Sequence, residues 1–182
     1  MKSTDWTLIE NGLQAWAVAA ASLNTNKVIW ANENGTRPAP DYVSLNVISF
    51  LKVGSRDDIR KVDDVYYVSG IRKFTLSVQS YGPGSLGVIQ SIQDSLEIPE
   101  LLNNLQDLDL SVVNIPSIIN VSKTLDTQIE KQYSMDIIFS VAQNIEITMS
   151  DISGVAIEGT LKSNTTGNRT VDIDIESIEE EN

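Results

Sequence analysis

The 182-residue chain contains no cysteine and no histidine. Without cysteine there are no disulfides, thiolate metal sites or thiol nucleophiles. Histidine is the usual general base near neutral pH and the commonest metal ligand. Its absence removes zinc hydrolases, Ser-His-Asp triads and Cys-His pairs together. Only carboxylate chemistry, tyrosine or lysine bases, and sites for Mg²⁺ or Ca²⁺ remain. Long hydrophobic runs are also missing: the longest, Ala15–Leu23, includes a serine and falls well short of the ~20 residues a bilayer requires. Met1–Thr4 leads straight into an amphipathic pattern, so no signal peptide is expected. Basic residues are scarce, 13 against 25 acidic, for a formal charge of −12. Such a surface repels nucleic acid, because phosphate affinity comes mainly from Lys and Arg displacing counterions.

Enough apolar sequence is present to fold. A 41% hydrophobic share and a length at which roughly 70% of the unfolded surface becomes buried suit one domain without metal or disulfide. The expected domain spans residues 1–170, with 171–182 as an acidic tail, partly disordered, holding six acids and no base.

Periodicity supplies the elements. Trp6, Ile9, Leu13, Trp16, Ala17 and Ala20 recur at three- and four-residue spacing, predicting a helix over Asp5–Leu23 with Thr4 or Asp5 as N-cap. Lys27–Ala31 reads as a short strand and Asn32–Asp41 as a loop stiffened by Pro38 and Pro40. Tyr42–Val53 reads as a strand with neither face cleanly polar. Val62–Val68 and Ile71–Tyr81 are predicted to form a hairpin turning at Ser69-Gly70, with Phe74, Leu76 and Val78 on its buried face. Leu86, Ile89, Ile92 and Leu96 predict one helix, and Pro99 opens another carrying Leu101, Leu102, Leu105 and Leu108. Leu110–Val121 reads as irregular or a weak edge strand, Gln128–Val141 as a strand, and Asn144–Leu161 as one or two more. Helices not interleaved one-for-one with strands predict an α+β fold. Its antiparallel or mixed sheet is flanked by an N-terminal helix and two central helices.

Several constellations invite a chemical reading. Gly82-Pro83-Gly84-Ser85-Leu86-Gly87 is a literal G-x-G-x-x-G between a strand and a helix. The strand before it alternates, unlike doubly buried Rossmann strands, and Pro83 lacks an amide that phosphate binding would use. A plain strand-to-helix turn fits better. Asp172, Asp174 and Glu176 alternate, and an extended chain would align them for a cation; a solvated row is the simpler reading. Asp57-Asp58 and Asp63-Asp64 would serve a carboxylate hydrolase only if brought together in a cleft; otherwise they are solvated turn residues. Trp6, Trp16 and Trp30 raise the alternative of a carbohydrate- or receptor-binding module, although two of them lie on the apolar helix stripe. Four N-x-S/T matches, at Asn34, Asn120, Asn164 and Asn168, carry little meaning without a secretory signal.

Val28-Ile29-Trp30-Ala31-Asn32, followed by Arg37-Pro38-Ala39-Pro40-Asp41-Tyr42-Val43, resembles phage neck or tail-terminator (tail-completion) proteins. Trp30, Asn32, Pro38, Pro40 and Tyr42 match a pattern of tryptophan-ended strand, proline loop and tyrosine-led strand. A strand-to-helix crossing like Phe74–Leu96 and the late Tyr133-Ser134-Met135-Asp136-Ile137-Ile138-Phe139 extend the likeness over roughly residues 5–160. Lys131 and Gln132 stand where the pattern has an arginine. The resemblance implies a structural virion protein, assembled in the host cytoplasm, with no catalytic, cofactor or metal residues. It implies a hexameric ring that caps the tail tube at its head-proximal end. The ring's partners would be copies of itself, the tail tube, sheath proteins in a contractile tail, and the head-side connector. Genomic DNA would pass through unbound, and no membrane is involved.

Overall fold

The computed structural model describes residues 5–32, 34–62, 65–125, 128–148, 160–161 and 169–170. Helix α1 (Trp6–Ala21) begins at Asp5, whose carboxylate accepts the amide of Leu8 at 3.2 Å and so satisfies one of the open first-turn donors. It ends at Ser22, which takes the left-handed conformation. A 3₁₀ turn over Thr25–Lys27 leads into β1 (Val28–Trp30). Next come β2 (Tyr42–Lys52), β3 (Asp58–Val62) and β4 (Val65–Tyr81). Helices α2 (Ser85–Ser95) and α3 (Pro99–Gln106) follow. The chain continues through β5 (Leu110–Asn114), β6 (Ile119–Asn120), β7 (Lys123–Leu125), β8 (Gln128–Glu130) and β9 (Gln132–Thr148). Two short strands, β10 (Thr160–Leu161) and β11 (Arg169–Thr170), pair with each other.

The main sheet runs β1-β2-β4-β9-β5, with β3 added to β4 beyond the end of β2 and β6 added to β9. Only β1 and β2 are parallel; the other pairs are antiparallel. The fold is thus α+β with a mixed sheet, as the element order predicts. Val43 and Leu45 of β2, Phe74, Leu76 and Val78 of β4, and Met135, Ile137 and Phe139 of β9 are all buried on one face. Against that face pack Leu13 and Trp16 of α1, Ile89 and Ile92 of α2, and Leu105 of α3. Aromatic rings stitch the layers. Trp6 meets Phe50 and Phe74 edge-on at 5.2 and 5.5 Å, and Trp16 meets Phe139 at 6.2 Å. The opposite face carries Ser49, Thr75, Ser77, Gln79 and Asp136 and has no helix over it among the described residues.

The structure corrects several expectations. Ser69-Gly70 is not a turn: β4 runs unbroken from Val65 to Tyr81, and Val62 lies opposite Val65, so the chain reverses between those two residues. The glycine serves a different need. A β-carbon at Gly70 would stand 2.1 Å from Asp57 Oδ1, because the Asp57 carboxylate lies across the strand there. Asp57 is accordingly no solvated turn residue. It accepts two hydrogen bonds from Arg72, at 2.9 and 2.7 Å, and meets Lys52 at 3.2 Å. Leu86 is exposed instead of sharing the buried face of α2, a place taken by Ser85. The long late strand does not divide near Val141; β9 continues to Thr148, paired residue by residue with β4. Asp63, Asp64, the sequons at Asn164 and Asn168, and the acidic stretch 171–182 lie outside the described residues.

A consequence of the two 17-residue strands is an arm. Every core residue that β4 contributes lies at or after Phe74, and every one from β9 at or before Val141. Residues 65–72 of β4, with β3 and the end of β9, therefore continue about 25 Å past the helix-covered core, at ~3.3 Å per residue.

Candidate functional site

The five residues marked by the resemblance fall at one end of the sheet, at the β1–β2 edge. Trp30 ends β1 opposite Leu45, half-buried against the core. Asn32 donates from Nδ2 to Asn46 Oδ1 at 3.3 Å, tying the loop start to β2. Pro38 is half-buried and Pro40 exposed in the loop that follows. Tyr42, only 2% exposed, begins β2 and pairs with Tyr81 at the end of β4. The structure thus brings Trp30 and Asn32 to one side of the loop and Tyr42 to its far end.

What binds the loop down is a set of residues that the alternation of apolar and polar positions could not single out. Tyr42 and Tyr81 stack with centroids 4.6 Å apart and planes 4° from parallel. The Arg37 guanidinium lies over both rings, 5.4 and 4.9 Å from their centroids. It also donates to Tyr42 Oη and pairs with Glu130 at 3.1 Å. Tyr81 Oη in turn donates to Gln79 Oε1 at 2.6 Å, and Gln132 Nε2 donates to both Gln79 Oε1 and Tyr81 Oη. Lys27 donates to the Ala39 carbonyl, fixing the middle of the loop. Burial raises the pKa of both phenols above the ordinary tyrosine value, and Arg37 opposes that shift. Aromatic faces, amides and a paired guanidinium make this cluster a clamp that orders a loop. The clue in the sequence was Arg37 at a five-residue spacing from Tyr42, which predicts a contact only once the loop is known to fold back.

The glycine motif is explained at the same place. Asp41, the last loop residue, accepts the amide of Gly84 at 3.0 Å from Oδ1. Its carboxylate occupies the mouth of α2, where a phosphate would sit in a nucleotide site. A β-carbon on Gly84 would lie 2.6 Å from Asp41 Oδ2, and one on Gly82 2.1 Å from Oδ1. Gly82 also has φ +110°, which favours glycine regardless of space. Nothing lies within 4 Å of a β-carbon at Gly87. The turn is therefore shaped around an internal carboxylate, and β4 before it is antiparallel to both its neighbours.

The tryptophans do not form a stacking platform. Trp16 is 1% exposed, and Trp6 and Trp30 are half-buried against the core. Among the described residues no three acids gather closely enough to hold a metal ion, and no helix is long and apolar enough to cross a membrane.

A family model described as phage neck terminator protein matches residues 7–166, which takes in all but the first residue of α1, the clamped loop, the main sheet, α2 and α3. The chain belongs to the phage neck terminator protein family. No curated protein matches it. As a neck terminator it is a structural protein of the virion that associates with other tail and head-side proteins. The Trp30-to-Tyr42 stretch lies within the matched span.

Proposed function

We propose that this neck terminator acts as a ring, six copies closed head to tail, that caps the tail tube and joins it to the head-side connector. Its action is assembly and not catalysis. The observation that carries this reading is the family match over nearly the whole chain. The physical support is a surface that one chain leaves uncovered. Phe50, Leu51, Ile59 and Ile71 are each more than half exposed around the root and length of the arm, an apolar concentration expected to be covered by other protein. The clamped loop Asn32–Asp41 offers a second contact surface. Held by Lys27, Arg37 and Asp41, it has little conformational entropy left to lose on docking. Trp30, Asn32, Pro38, Pro40 and Tyr42 act in this reading as the frame of that loop.

The net charge of −12 per chain, multiplied around a ring, makes a channel wall that repels genome phosphates and lets DNA slide. Particles made without this chain are expected to carry tails of unset length that fail to join heads, and adding the purified chain should restore joining. Tails of normal length attached to heads in its absence refute the role. Mass measurement of the chain bound to tail tubes tests the copy number.

A further inference from the structure

We propose that the β3–β4–β9 arm of one chain docks into the groove between α3 and β5 of a second copy. This contact rests on the ring reading above and specifies it. Three observations carry it: where the apolar residues lie, how the charges are divided, and where the two surfaces sit on one chain.

The arm's face on the helix side bears the cross-strand row Ile59, Val68 and Ile145. Ile59 is 56% exposed, and Val68 and Ile145 are half-buried, with no residue of the core cluster among them. The open groove is lined by Leu96, Leu102, Leu110, Val112, Val113 and Ile115 together with Gln106, Ser111 and Asn114, and has a volume of about 420 Å³. Val113 and Ile115 are 44% and 42% exposed at its lip, and Ile98 beside it is 40% exposed. A row of aliphatic side chains across three strands and an open trough with an aliphatic lip are complementary in kind. Each would remove apolar surface from water that a lone chain leaves exposed.

The charges decide the occupant. Residues 52–73 hold six of the chain's 13 basic residues and four of its 25 acids. Lys52 and Arg72 are engaged by Asp57 at the root, while Arg56, in the loop before β3, and Arg60, on the face of β3 opposite Ile59, are exposed. The stretch 83–109 has the opposite character: Asp94, Glu97, Glu100, Asp107 and Asp109 are all exposed, and no basic residue occurs there. The basic stretch 52–73, with six bases against four acids, thus matches a one-sided negative surface of another copy. Rim charges of this sort set register and partner choice more than bulk affinity. Because arm and groove are different patches of the same chain, each subunit can give one and receive one. Such a heterologous contact propagates from copy to copy and forms a ring when the rotation between copies closes.

The test uses the full chain with two reversals, Arg56→Glu with Arg60→Glu on the arm and Glu97→Lys with Glu100→Lys on the groove rim. Either pair alone is expected to weaken self-association in sedimentation velocity by roughly tenfold or more. Both pairs in one chain should restore it, as attraction returns with the signs exchanged. Far-UV circular dichroism confirms folding of each variant. A second measurement covers a chain that closes only on the tail tube. Because native cysteine is absent, Ile59→Cys with Val113→Cys should give an intermolecular ladder on oxidation in assembled particles, and neither cysteine alone should do so. Self-association of the parent chain that neither reversal weakens, or assembled particles without the ladder, overturns the contact. Normal tails in particles lacking the chain would instead overturn the ring reading, so the two failures are distinguishable.

Discussion

The Asp41 carboxylate at the mouth of α2 allows a quantitative test of what Gly84 is for. Asp41→Ala removes the 3.0 Å hydrogen bond to the Gly84 amide and a negative charge at a helix N-terminus. Comparable capping losses run to about 1 kcal/mol. Gly84 has φ −89° and ψ 3°, a conformation open to alanine, so its substitution carries no intrinsic backbone strain. The obstacle is the carboxylate, since the new β-carbon would lie 2.6 Å from Asp41 Oδ2 and push it away. Gly84→Ala should therefore cost about the same 1 kcal/mol, by destroying the same bond. The double variant should then lose about 1 kcal/mol in total, not two, giving a coupling near 1 kcal/mol. Gly82→Ala provides the contrast. Its φ of +110° keeps it unfavourable by about 1–3 kcal/mol whether or not Asp41 is present. Urea unfolding followed by far-UV circular dichroism resolves these differences at constant slope. Strict additivity of Asp41→Ala and Gly84→Ala would refute the argument that the glycine is there for the carboxylate.

Three further outcomes are expected. Phe139→Ala, which removes a fully buried ring touching Trp16 and Phe74, should destabilise by about 3–5 kcal/mol in the same urea assay, and a loss below 1 kcal/mol would mean this layer is not the core. Asp57 titrates at about 2, below its ordinary 3.8, chiefly because Arg72 hydrogen-bonds to it; its contribution is present above pH 3.8 and disappears as pH falls towards 2. Arg72→Met should remove most of that acid-side loss in pH-dependent unfolding, with Lys52 at 3.2 Å sustaining the remainder. Tyr42 and Tyr81 have folded pKa values raised by burial, so they favour folding below pH 10 and oppose it as pH rises past that value. Ultraviolet titration should show a late-ionising phase, and Tyr42→Phe with Tyr81→Phe should remove it.

Much of the fold is legible in the order of residues because local periodicity has a local cause. The stripe from Trp6 to Ala20 can be buried only as a helix, and Phe74, Leu76 and Val78 share a face only in a strand. The missing histidine and cysteine limit the chemistry before any contact is known. Tertiary structure decided what depends on distant partners. Ser69-Gly70 imitates a turn, yet its glycine makes room for Asp57, 13 positions away. Gly82–Gly87 imitates a phosphate loop, and its anion is Asp41 from the far side of β2. Arg37 joins Tyr42, Tyr81 and Glu130 only because the start of β2, the end of β4 and the approach to β9 meet at the same end of the sheet. The length of the arm was hidden for a related reason. Alternation persists along β4 and β9 whether or not helices cover them, so only the packed structure shows where the core stops and the bare strands continue.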